Sequence, residues 1–235
     1  SFVFLIIVPI LTMRVLAEER RQRTDQLLYS LPITTTQVVL GKYFALLVVY
    51  LIPLAVVSLY PLLFSQFGDV YLPTSYGSLF AFFMMGAALL AVGMFLSSLT
   101  DNQGFAAGIG IAAILLNYYS VSLAEYTSST AMGSLIALYV IALLLGVVIH
   151  NLTRNENLAY GVTLVLIAAL SVAYFVNSSA FEGLLPDIMT KLSLFRQFNS
   201  FVNGAFDLTA IVYYVSVMGF FLFLSVQSLE KRRYN

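Results

Sequence analysis

The sequence predicts an all-α fold, a polytopic transmembrane helix bundle with about seven spans visible, and three observations carry that expectation. Hydrophobic residues make up 60% of the chain and charged residues only 9%, against about 25% charged in an ordinary soluble domain. The apolar residues gather in runs near the ~17–25 residues of a membrane helix. Basic residues fall almost entirely between alternate runs, as the positive-inside rule requires. With a mean hydropathy of +0.93, so few charges cannot cover a soluble surface, and lipid takes that role. Barrel strands would be shorter and would alternate in polarity.

The first run, Ser1 to about Leu16, meets Arg14 too early for a full span and reads as truncated, with upstream sequence missing. The chain opens Ser1-Phe2-Val3-Phe4 with no starting Met and no basic leader, so this run does not read as a signal peptide. The other runs are about Val38–Phe64, Tyr76–Leu99, Gly104–Leu123, Met132–His150, Leu158–Val176 and Thr209–Leu229. Pro9, Pro53 and Pro61 read as kinks, which membrane helices tolerate when neighbours satisfy the freed carbonyls. Gly104 and Gly108 form a GxxxG, expected to let another helix approach closely.

Crossing the membrane at each run puts Arg14, Arg20, Arg21, Arg23, Lys42, Arg154, Lys231, Arg232 and Arg233 on one face. The other face holds Lys191 and Arg196. The first face is then cytoplasmic, and with it the C-terminus. The chain reads as a single transmembrane domain over residues 1–235.

Two stretches are amphipathic without spanning. Glu18 to Leu31 clusters its charges early, places Glu19–Arg23 and Arg21–Asp25 at i,i+4 spacing, and has an apolar side at Leu16, Leu27, Leu28 and Leu31. Pro32 ends it. It is expected to be a cytoplasmic helix, either docking a partner or lying passively on anionic lipid. About Ser179 to Phe206 repeats Phe181, Leu185, Ile188, Leu192, Phe195, Phe198 and Val202 every three or four residues, the mark of an external amphipathic helix or two short ones. It is expected either to roof the outer end of a path or to anchor at the membrane surface.

Signatures of chemistry are few. Cysteine is absent, which excludes disulfides and thiolate metal sites. His150 is the lone histidine, at an expected helix end, and there is no HExxH. Gly41-Lys42 is not a phosphate loop: Thr36 stands where the first glycine belongs, and Tyr43 replaces the Ser/Thr. No catalytic, cofactor-binding or metal-ligating residues are assigned. The net charge of zero and the missing basic stripe speak against nucleic acid. No Asp, Glu, Lys or Arg falls near an expected midplane, which disfavours an ion-coupled secondary transporter.

The run Met13-Arg14-Val15-Leu16-Ala17-Glu18-Glu19-Arg20-Arg21-Gln22-Arg23-Thr24-Asp25-Gln26-Leu27-Leu28-Tyr29-Ser30-Leu31-Pro32-Ile33, followed by Val39-Leu40-Gly41-Lys42, resembles type-2 ABC exporter permeases. In that family a pattern like EE(R/K)…T..LL..P(I/V)(S/T)…(V/L)GK follows the second membrane helix. Phe198 to Asp207, Tyr213-Tyr214 and Leu229-Glu230-Lys231-Arg232-Arg233 resemble the gliding-motility (Gld-type) branch. The resemblance implies a bacterial plasma-membrane permease subunit whose Glu18–Pro32 segment is a coupling helix. Glu18, Glu19, Arg20, Arg21, Thr24, Gln26, Leu27, Leu28, Leu31 and Pro32 would then dock an ATPase. It implies two ATPase copies holding ATP and Mg, and a second permease subunit, the same or different, with lipid around them. The simplest members have six spans, so Met132–Val176 reads as an extra hairpin. Alternatives are a secondary transporter, an intramembrane enzyme, and an ABC complex that transmits force without a transported solute.

Overall fold

The computed structural model describes residues 2–22, 33–153, 156–204 and 206–233, and every regular element among them is helical. In order these are α1 (Phe4–Thr12), α2 (Ala17–Arg21), α3 (Thr35–Val57), α4 (Tyr60–Phe64), α5 (Leu72–Ser98), α6 (Gln103–Tyr126), α7 (Ala131–Thr153), α8 (Glu156–Val176), a 3₁₀ turn (Ser178–Phe181), α9 (Leu184–Lys191), α10 (Leu194–Val202) and α11 (Leu208–Arg233).

Among the described residues five stretches are long and apolar enough to cross a membrane: Thr35–Phe64, Leu72–Ser98, Gln103–Tyr126, Glu156–Val176 and Leu208–Lys231. Two of the seven expected spans fall short of that measure. In α7 the apolar stretch is Ala131–Val147. α1 has 9 residues, about half a span, and ends at Thr12, two residues before Arg14.

Local chemistry sets the boundaries. Thr34 caps α3 in a reciprocal box: its hydroxyl accepts from Gln37 N–H, and the Gln37 side chain accepts from Thr34 N–H. Asn102 Oδ1 accepts the N–H groups of Gly104 (2.9 Å) and Phe105 (3.2 Å) and so opens α6. Pro73 sits in the first turn of α5, where its missing N–H costs nothing.

The chain divides into two compact units, residues 1–118 with 194–235, and residues 119–193. In the first, α5 is the axis, with α1, α3, α10 and α11 packed against it. Ala81, Met85, Ala87, Ala88, Leu89, Leu90, Ala91 and Met94 are buried right around it, as expected for a helix enclosed by others. Its glycines take the closest contacts: Tyr50 lies against Gly86 and Thr12 against Gly93, where a Cβ would collide. Helices in lipid gain no hydrophobic drive toward one another, so close packing and hydrogen bonds hold them. Here Tyr43 Oη donates to Ala87 O (3.0 Å) and Tyr50 Oη to Phe82 O (2.8 Å). Tyr214 Oη donates to Leu194 O (2.8 Å). The GxxxG glycines of α6 behave otherwise. Both are exposed, and nothing described lies within 4 Å of a Cβ at Gly108.

The second unit is the α7–α8 hairpin with the 3₁₀ turn and α9 folded on it. Tyr139 and Ser171 hydroxyls share a hydrogen bond at 2.7 Å across the hairpin. Ser134 Oγ accepts Leu185 N–H (3.3 Å), Ser129 O accepts Gly183 N–H (2.8 Å), and Tyr174 meets Phe181 edge-on.

The amphipathic stretch over 179–206, expected as one helix or two short ones, is two short helices, α9 and α10, preceded by the 3₁₀ turn. Gly183, at φ +70°, turns the chain into the left-handed region between the 3₁₀ turn and α9. A second break falls at Leu192–Ser193, and α9 and α10 belong to different units. Phe181 and Phe195 are buried; Leu185, Ile188 and Phe198 are half-buried; Leu192 is exposed.

Candidate docking surface at the charged end of the first unit

α5 is 27 residues long, about 40 Å at 1.5 Å per residue, so its two ends are well separated. At its start, Ser78 Oγ donates to Phe201 O (3.2 Å) and Tyr76 Oη to Ser58 O (3.1 Å). At its finish, Ser97 meets the α1–α2 junction and Ser98 O accepts from the Ser228 hydroxyl of α11 (3.1 Å). The segment around Asp69 and the segment around Glu18 thus lie at opposite ends of this helix.

The charged end is built on an elbow. α1 stops at Thr12, Met13–Leu16 turn, and α2 starts at Ala17. Such a break leaves main-chain N–H and C=O groups without helical partners. The Ser97 hydroxyl takes three of them. It accepts from Leu16 N–H (3.4 Å) and Ala17 N–H (3.2 Å) and donates to Met13 O (3.3 Å). One donor and two acceptor positions are all a serine has. Lys42 of α3 takes a fourth, donating from Nζ to Val15 O at 2.9 Å, and pairs with the Glu19 carboxylate.

Beyond the elbow, Arg14, Glu18, Arg21, Gln22 and Gln103 line a cavity of about 380 Å³. The Gln22 amide donates to the Glu18 carboxylate one turn back. The surface mixes both charge signs with amide groups, and its side chains reach solvent. That chemistry suits reversible contact with a polar protein face, where each ion pair contributes about 0–1 kcal/mol. Among the described residues no group of three or more His, Asp or Glu is placed to hold a metal.

Of the residues read from sequence as docking residues, Glu18, Glu19 and Arg21 lie together here. Thr24, Gln26, Leu27, Leu28, Leu31 and Pro32, with the side chain of Arg20, lie outside the described residues. Of the external set, Phe181, Leu185, Ile188 and Leu192 belong to the second unit, and Phe195 and Phe198 to the first. Phe195 packs edge-on to Tyr118 and Phe198 to Phe82, within the first unit. Sequence reading missed Ser97, which has no charge and stands in a run rich in small residues. Lys42 was legible only as a cation on the basic face.

Residues 1–124 match the family model described as ABC-2 family transporter protein. The matched part holds α1 through α5, the elbow and most of α6. No curated protein and no solved structure matches the chain. The gliding-motility branch gains no support: its C-terminal motifs, Phe198–Asp207 and Leu229–Arg233, lie outside the matched residues. The match covers more than half of the chain, which therefore belongs to the ABC-2 transporter family, whose members are typically non-catalytic membrane subunits working with an ATPase.

Proposed function

We propose that this chain is the membrane-spanning permease subunit of an ABC transporter, and that the charged end of its first unit receives a separate ATPase. The observation that carries the reading is the elbow: Glu18, Glu19 and Arg21 stand on a short helix whose start is fastened to α3 and α5. A charged element outside the apolar spans, fixed to two long membrane helices, has the form a docking element needs. The sequence between Arg23 and Pro32 continues its pattern, with Leu27, Leu28 and Leu31 supplying an apolar side.

In this reading the chain crosses the membrane at all seven apolar runs, α1 and α7 included, with its C-terminus in the cytoplasm. Two permease subunits, alike or different, pair over two ATPases in the bacterial plasma membrane, and ATP and Mg bind in the ATPases. Transport runs outward. The buried polar residues among those described are serines and threonines, which suit helix packing better than ion coupling; energy then comes from the partner.

Co-purification with the ATPase subunit in nanodiscs, with its ATPase rate, tests this. Leu28→Asp places a charge on the apolar side and is expected to abolish most of the association. Arg21→Ala removes one exposed charge and is expected to weaken it mildly, by about 0–1 kcal/mol. Unchanged association and rate in a well-folded Leu28→Asp protein returns the segment to a passive role on the lipid surface.

A further inference from the structure

The elbow does more than carry charge. A helix break can act as a free joint, and a free joint beneath a docking element would absorb motion. This one is closed from two sides. Ser97 takes the loose N–H groups of Leu16 and Ala17 and the carbonyl of Met13. Lys42 takes the carbonyl of Val15 and reaches on to the Glu19 carboxylate of α2 itself. One turn before Ser97, on the same side of α5, Gly93 seats Thr12, the last residue of α1. Thr12, Leu16, Ala17 and Ser97 are all buried. Four main-chain groups of the turn, Met13 O, Val15 O, Leu16 N–H and Ala17 N–H, are therefore bonded to other helices, in a place where water does not substitute for lost partners.

We propose that Lys42 and Ser97 are positioning residues. They lock the elbow to α3 and α5, so that displacement of the charged segment by an ATPase passes to these two membrane helices instead of bending the Met13–Leu16 turn. The inference rests on the docking role proposed above. It adds two residues outside the docking segment, each with a distinct route: Lys42 carries the connection to α3 and Ser97 the connection to α5.

The two routes predict a particular kind of defect. Losing either contact leaves the exposed docking charges in place, so the ATPase still binds and turns over. What falls is the response of the far end of the unit. Coupling residues that touch no ligand typically change a coupling constant by about 2- to 30-fold.

The chain has no cysteine, so two introduced cysteines, Ser65→Cys after α4 and Asn203→Cys after α10, give one spin-label pair in each copy of the chain, at the far end of the first unit. The experiment compares the complex in nanodiscs with and without ATP and vanadate, reading the label distance and the ATPase rate. The unsubstituted elbow is expected to show a nucleotide-driven change in distance. Lys42→Met and Ser97→Ala are expected to shrink the shifted fraction about 2- to 30-fold with the ATPase rate retained, and Lys42→Arg to restore it. A purely structural role would lower complex yield and ATPase rate together and would not separate the two readouts. A full nucleotide-driven change in both Lys42→Met and Ser97→Ala overturns the inference while leaving the docking role standing. A complex that fails to form with the unsubstituted elbow overturns the docking role and this inference with it. Should Lys42→Met not fold, Ser97→Ala alone decides.

Discussion

Gly86 of α5 gives the sharpest test of the packing, because a single methyl group there is expected to change sign with its surroundings. A Cβ at this position would fall on the hydroxyl end of Tyr50, inside any normal contact distance. That ring is hard to displace. Its hydroxyl donates to Phe82 O at 2.8 Å, its face stacks on Phe83 at 6.0 Å, and Phe4 stands at 6.0 Å on another side. Overpacking a filled site of this kind costs about 1–3 kcal/mol. Loss of the tyrosine hydrogen bond adds about 0.6 kcal/mol, the average for such bonds between membrane helices. Set against the about 0.8–1 kcal/mol by which a helix favours Ala over Gly, Gly86→Ala is thus expected to destabilise the protein by roughly 1–3 kcal/mol. In a Tyr50→Leu background the ring is gone and only helix propensity remains, where Ala is favoured over Gly by about 0.8–1 kcal/mol. There Gly86→Ala should be neutral or stabilising. Unfolding in mixed SDS micelles, run as a double-mutant cycle, measures the difference. Equal penalties in both backgrounds would refute the argument, since they would show that Tyr50 is not what the methyl group meets.

Tyr214, fully buried on α11, donates to Leu194 O, while Asn117 Oδ1 accepts Leu194 N–H at 3.0 Å. Tyr214→Phe is expected to cost about 0.6–1.7 kcal/mol in the same unfolding assay and to speed amide exchange at the start of α10; no change in either means that the bond does not hold α10 to α11. The two ends of α5 also predict a labelling pattern. A membrane-impermeant maleimide is expected to modify Gln66→Cys on intact cells and Gln22→Cys only after permeabilisation, and labelling of both from one side would overturn the topology.

How much could be read in advance follows from the range of each interaction. Hydropathy and charge are summed over neighbours in sequence, so the long helices and the grouping of Arg14, Arg21 and Lys42 on one face were legible. The elbow was not. Ser97 and Ala17 are separated by 80 residues, and a serine near the end of an apolar run looks like any other small residue. Over 179–206 the choice between one helix and two short ones stayed open for a different reason. The apolar residues there keep a spacing of three or four straight through two breaks, since short helices preserve the period within each piece. Gly183, at φ +70°, marks the first of those breaks. The GxxxG at Gly104 and Gly108 marked a surface suited to close approach, but a motif of small residues does not say which helix approaches.

The hydrogen bonds of α3 suggest where movement received at the elbow would travel. Tyr43 and Tyr50 are seven residues apart, two turns, so they lie on one face of α3 and both donate to carbonyls of α5. Lys42, next to Tyr43, holds the elbow. From Lys42 to Tyr50, then, α3 is tied to α5 on one side and to the α1–α2 turn at its base. Beyond Tyr50 the character of the helix changes: Tyr50 is the last buried residue of α3, and Pro53 removes an N–H from the ladder. A push at the elbow therefore meets a stiff lower segment, in which α3 and α5 move as one body. The place where the ladder of α3 lacks a donor is Pro53, above the last tyrosine. Motion of the lower segment would emerge as a change of angle between the two halves of α3, at the level where Phe4, Tyr50 and Phe82 meet.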